Sequence, residues 1–145
     1  MAGYAVGIDL IAIPRVRAVM ERHNGRFLRR VYTPEEVAFC RGRVPELAAR
    51  FAAKEAVMKA LGTGARGVGW REIEVLPDRR GKPLVYLYGG AKSRADEMGL
   101  QGIDVSLSHE RDYAIAVAVA ARDDEDDPQE SRERLVRRLK ERGLL

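Results

Sequence analysis

Cysteine occurs once in these 145 residues, as Cys40, tryptophan once and histidine only twice. A lone cysteine excludes an intrachain disulfide framework and a cysteine-ligated zinc site, and it suits a reducing compartment. No apolar run approaches the ~20 residues needed to span a bilayer, and Asp9, Arg15 and Arg17 interrupt the apolar N-terminus, so neither a membrane span nor a signal peptide is expected. The chain is read as cytoplasmic, without a membrane partner. Aromatic residues make up 6% and are not interleaved with basic ones, so a nucleic-acid stacking platform is absent despite a pI near 9.5. Lysine is also scarce, five residues against 21 arginines, and guanidinium forks suit phosphate and carboxylate partners. The net charge of +4 is uneven: residues 123–145 hold eight acidic and six basic side chains, which leaves the first 122 at about +6.

The length fits one core, read as a domain over 1–122 followed by a charged extension over 123–145, a linker and a solvated helix. Residues 4–10 form a short apolar strand carrying one carboxylate, Asp9. Pro14 opens a helix expected to end at Asn24-Gly25. Thr33-Pro34-Glu35-Glu36 is a capping box and starts a short helix to about Arg41. A central, alanine-rich helix runs from about Pro45 to Leu61. Residues 71–76 and 83–88 read as a hairpin around Asp78–Lys82, residues 91–98 as a helix stopped by Gly99, and residues 103–108 and 113–121 as two further strands. The last strand alternates Ile115, Val117 and Val119 with alanine, so its flat face fits either a close helix or another subunit. The expected fold is α+β, an antiparallel sheet packed against the long central helix.

Glu55 and Lys59, four residues apart, share one face of that helix. Arg50 and Lys54 are expected to add positive charge beside them, and Gly62-Thr63-Gly64 gives a ligand access to the backbone where the helix stops. These parts suit metal-assisted phosphate chemistry, and an ordinary solvated pair with a glycine cap fits the spacing too. His109, after Ser106-Leu107-Ser108, reads by itself as a turn histidine capping a hairpin. A Ser/His hydrolase is set aside, because no nucleophile elbow is present and strand neighbours point to opposite faces.

Three islands, Gly7-Ile8-Asp9-Leu10, Arg50 to Gly64 and Val105-Ser106-Leu107-Ser108-His109, together resemble the holo-acyl-carrier-protein synthases, the small 4′-phosphopantetheinyl transferases. The likeness spans residues 4 to about 121 and includes Gly81-Lys82-Pro83 and Tyr113-Ala114. It implies Mg²⁺-dependent transfer of phosphopantetheine from coenzyme A to a serine of an acyl carrier protein in fatty acid or polyketide biosynthesis, releasing adenosine 3′,5′-bisphosphate. The matched positions imply Asp9 and Glu55 as metal ligands, with Lys59 near the transferred phosphate. They also imply Arg50, Gly62, Thr63 and His109 around the coenzyme. The serine proton requires a base, for which Glu55, acting through a water, and Glu110 are the candidates.

Acyl carrier proteins present an acidic helix, and Arg15 and Arg22, beside Met20 and Phe27, offer the complementary surface. Single-copy members of this family assemble as trimers with sites between subunits, so a homotrimer is expected. The competing readings are a non-catalytic coenzyme- or carrier-binding module of the same fold, and a nucleic-acid-binding domain. Intact Asp9, Glu55 and Lys59 speak against the first, and the missing aromatic platform against the second.

Overall fold

The structure is a computed structural model that describes residues 3–64, 66–123 and 127–145. Strand β1 (Gly3–Ala12) leads into α1 (Ile13–Val31), α2 (Pro34–Cys40) and the central α3 (Val44–Leu61). A single 3₁₀ turn (Trp70–Glu72) precedes β2 (Ile73–Pro77), β3 (Pro83–Leu87), α4 (Gly89–Glu97), β4 (Asp104–His109), β5 (Tyr113–Arg122) and α5 (Pro128–Glu141). The five strands make one antiparallel sheet in the order β1-β5-β4-β3-β2, so β1 is an edge. The expected α+β architecture is the one observed.

The sheet lies on α3 through very small residues. Ala52, Ala53, Ala56 and Ala60 of α3 are buried against Ala116, Ala118 and Ala120 of β5. This settles the flat face of β5: it meets α3, and its larger residues point the other way. Gly7 permits the closest approach, because a Cβ there would lie 1.8 Å from the Ala56 carbonyl oxygen and 2.8 Å from the Ala60 nitrogen. No other residue type fits that backbone contact.

Capping follows the sequence in α2, where the Thr33 hydroxyl accepts from Glu36 N–H while Glu36 accepts from Thr33 N–H at 2.9 Å. Glu36 does more than cap. It is fully buried, pairs with fully buried Lys54 at 2.7 Å, and accepts from Val75 N–H at 3.0 Å, tying α2 to α3 and β2. Lys54 also donates to the Trp70 and Ile73 carbonyls.

The expected end of α1 at Asn24-Gly25 is corrected. The helix kinks at His23 (φ −138°, ψ 32°) and continues to Val31. Continuation buries Phe27, Leu28 and Val31 with Tyr32, Cys40 and Leu47, and that packing outweighs the local stop signal. Helix α5 is exposed along almost its whole length. The linker residues 124–126 lie outside the described residues.

Candidate functional site

The approach of β1 to α3 at Gly7 carries Asp9 to the flank of the helix. On β1 the side chains of Ala5, Gly7, Asp9 and Ile11 share the face toward α3, and Asp9 sits opposite Ala116 in the β5 register. Lys59 donates to Asp9 Oδ1 at 3.2 Å and to the Ile8 carbonyl at 2.9 Å. Glu55, one turn earlier, shares a hydrogen bond with Asp9. Burial raises its pKa above the ordinary carboxylate value, and the Asp9 charge and shared hydrogen bond raise it further, while Lys59 and Arg15 pull it back. Asp9, Glu55, Lys59 and Arg15 therefore form one electrostatic cluster.

Two carboxylates pressed together at the edge of a sheet suit a hard divalent cation, which would relieve their repulsion and draw its remaining oxygens from water and substrate. Among the described residues no group of three or more His, Cys, Asp and Glu is placed to hold a metal ion, so a cation here would take only these two carboxylates from the chain. Asp9 and Glu55 are thus two oxygen donors that could hold Mg²⁺.

Arg50 and Lys54 do not join this cluster, contrary to the expectation that they add charge beside Glu55. Successive residues turn ~100° around a helix, and both side chains leave α3 on the side toward β2 and α2. The Arg50 guanidinium is buried, donates to the Val75 carbonyl at 3.0 Å, pairs with Glu46 at 2.9 Å and lies over the Phe39 ring. His109 Nε2 stands 4.0 Å from the other oxygen of Glu46. Glu46 thus links Arg50 and His109. Its i,i+4 spacing to Arg50 was visible in the sequence, whereas the contact with His109 needed the fold. Two strand spacings and two residues of register separate His109 from Asp9, about 12 Å in all. Ser106 and Ser108 lie on the opposite sheet face from His109, which disposes of a Ser/His pair.

Glu110 lies in the β4–β5 turn, where its main chain donates to the Tyr113 carbonyl at 2.9 Å and its carboxylate accepts from Asp112 N–H at 3.4 Å. That turn abuts the start of α1, since Ile13 N–H donates to the Asp112 carbonyl at 2.8 Å. The Glu110 carboxylate is thus engaged in its own turn and is not brought to the Asp9–Glu55–Lys59 cluster. On α1, Arg15 and Arg22 are exposed, but Met20 and Phe27 turn inward against the core, which corrects the expected apolar patch beside the arginines.

The end of α3 departs from expectation in one respect. Gly62 takes the left-handed conformation (φ 72°) and its N–H caps Lys59 and Met58, while Thr63 N–H donates to the Met58 carbonyl at 3.3 Å. Both main-chain donors close the helix and neither is free to hold an anion. A cation that the sequence reading missed stands there: Arg94 of α4 donates from Nε to the Leu61 carbonyl at 3.0 Å. No periodicity links positions 33 residues apart, so only the fold discloses this contact.

Comparison with known proteins gives a consistent result. The model of the 4′-phosphopantetheinyl transferase superfamily matches residues 5–118. A holo-[acyl-carrier-protein] synthase of Herpetosiphon aurantiacus is 50% identical over 120 residues, covering 78% of this chain and 94% of that protein. One from Dehalococcoides mccartyi is 50% identical over 114 residues, covering 79% and 95%. The Helicobacter pylori holo-[acyl-carrier-protein] synthase, solved in complex with coenzyme A, superposes with a TM-score of 0.73 at 32% identity, covering 79% of this chain and 98% of that one.

Proposed function

This chain belongs to the 4′-phosphopantetheinyl transferase superfamily, among its holo-acyl-carrier-protein synthases, and on that premise we propose that it moves 4′-phosphopantetheine from coenzyme A to a carrier serine at the Asp9–Glu55–Lys59 cluster. The observation that carries this reading is the meeting of those three side chains where β1 crosses α3. In the reaction the serine oxygen bonds to the phosphorus bearing pantetheine, the P–O bond to the adenylyl half breaks, and adenosine 3′,5′-bisphosphate leaves. The serine proton passes to a base.

Asp9 and Glu55 would hold Mg²⁺, which when bound supplies positive charge to the phosphate oxygens. Lys59 adds a second positive charge beside the transferred phosphate. Its side chain is 55% exposed, so the ammonium can turn from Asp9 toward a ligand. Glu55 takes the serine proton through a water; Glu110, engaged in its own turn, is the less favoured base. His109 and the Glu46–Arg50 pair form a separate zone about 12 Å away, a span suited to the nucleotide end of an extended coenzyme or to completing a neighbouring subunit's site.

Arg15 lies close enough to Glu55 to lower its proton affinity, which suits a residue that guides an acidic carrier helix to the reacting centre. Arg22 extends the same surface. Assembly as a homotrimer is part of the proposal, supported by the exposed apolar outer face of β1, namely Tyr4, Val6, Ile8 and Leu10. So are a cytoplasmic setting and a role in fatty acid or polyketide biosynthesis. The test is to incubate the full chain with coenzyme A, Mg²⁺ and an apo carrier protein and to measure the carrier's intact mass. A gain equal to one phosphopantetheine, dependent on the divalent cation, is expected; an unmodified carrier under these conditions overturns the proposal.

A further inference from the structure

Seating phosphates at the end of α3 raises an electrostatic difficulty. The carboxyl end of a helix carries roughly half a negative charge and disfavours anions, in contrast to the amino end that phosphate sites commonly use. Main-chain donors do not offset this, because Gly62 and Thr63 spend their N–H groups on the Lys59 and Met58 carbonyls. The compensating charge has to come from side chains. Lys59 supplies one from the last turn of α3.

Arg94 supplies the other. Its Nε is fixed on the carbonyl of Leu61, the last residue of α3, which removes one of the exposed dipole ends. Its terminal nitrogen stands 3.8 Å from where a Cβ of Gly62 would lie, against the loop itself. The side chain remains 38% exposed, and its neighbour on the outer side, Glu97 at 3.6 Å, is 69% exposed, a pairing that water weakens. The guanidinium is thus held at one nitrogen, turned to the loop by another, and open to solvent.

We propose that Arg94 is a binding residue for the pyrophosphate of coenzyme A. Anchored on Leu61, its fork cancels the charge of the helix end and donates to phosphate oxygens seated against Gly62 and Thr63. The pyrophosphate is the natural occupant, because Gly62 follows Lys59 by three residues and Lys59 reaches the Asp9–Glu55 pair. Arginine suits the task better than lysine, since a planar fork can serve a carbonyl and a phosphate at once. This inference rests on the reading that coenzyme phosphates lie at Gly62–Thr63.

The test compares the full-length protein with Arg94→Gln and Arg94→Lys by calorimetric titration with coenzyme A and with dephospho-coenzyme A, alongside steady-state kinetics. The amide signals of Gly62, Thr63 and Gly64 are followed in the ¹⁵N-labelled wild type. In the wild type, those amides shift on binding. Arg94→Gln weakens both ligands by about tenfold or more, as expected for a lost hydrogen bond to a charged group, and raises KM for coenzyme A with kcat within about twofold. It also flattens the salt dependence of binding, and Arg94→Lys recovers part of the loss. Unchanged affinity and KM in folded Arg94→Gln overturns the role of Arg94 while the loop shifts still uphold the reading beneath it. Binding without loop shifts overturns that reading and the proposal together. A loss confined to coenzyme A, absent with dephospho-coenzyme A, overturns the assignment to the pyrophosphate.

Discussion

Glu55 makes the metal-free protein sensitive to pH in a definite direction. Its folded-state pKa is raised, so the stability it contributes is complete below the ordinary glutamate value and is lost as pH rises through the folded value. Thermal unfolding in chelator should therefore show a stability decline as pH climbs out of the carboxylate range, and Glu55→Gln should abolish that step. At neutral pH the metal-free variant should melt at or above the wild type, while added Mg²⁺ should raise the melting temperature of the wild type only. A lower melting temperature for the metal-free variant at neutral pH would contradict the Asp9–Glu55 repulsion. Cys40 answers to a different cause: burial pushes its thiol up to about 11. Native protein should resist iodoacetamide near pH 8 and react only on unfolding, which mass spectrometry of the alkylated chain would register.

The contact between β1 and α3 is the element-level device that assembles the site. Gly7→Ala forces a methyl group into the Ala56 carbonyl and should cost about 3 kcal/mol or more, lowering Tm by roughly 10 °C, with loss of transfer activity as Asp9 moves away from Glu55. Calorimetry and the carrier assay check this together. Lys54→Met leaves the Glu36 carboxylate buried without its cation, and denaturant unfolding should show a loss of about 3–5 kcal/mol. The sequence made much of this legible, and in physical terms. The Thr33–Glu36 box, the Gly62 stop and the period-two alternation of β5 are local signals that tertiary packing reinforced. Where packing competed with a local signal, the sequence misled: α1 runs past Asn24-Gly25 to bury Phe27, and Met20 turns inward. Lys54 shows the same limit. Its spacing from Glu55 says nothing of the distant Glu36 that determines where its ammonium goes.

Across the whole molecule, one sheet face is filled by α3 and the other presents Tyr4, Val6, Ile8 and Leu10, between 54% and 73% exposed, next to Val117 and Val119. An apolar face of this kind supports assembly. The full chain should elute and scatter light as three copies, and Val6→Glu, at a position exposed in the single chain, should give a folded monomer. A monomeric wild type would refute the trimer. The extension lies beyond residues 5–118 of the family match, and α5 is largely exposed, so ending the chain after Asp123 should leave Tm and transfer rate nearly unchanged. The part of the candidate site legible in the sequence was the Glu55–Lys59 pair on one helix face. The illegible part was its geometry, for Arg50 and His109 meet through Glu46, away from Asp9. On the proposed reading, Asp9 and Glu55 act as one metal-holding pair in phosphoryl transfer. Its most direct test is the rate of phosphopantetheine addition to the carrier, read by intact mass, for folded Asp9→Asn and Glu55→Gln at saturating coenzyme A across a Mg²⁺ titration. Both variants should lose at least about a hundredfold in rate. They should also need more Mg²⁺. Wild-type rate and metal dependence in both would contradict it.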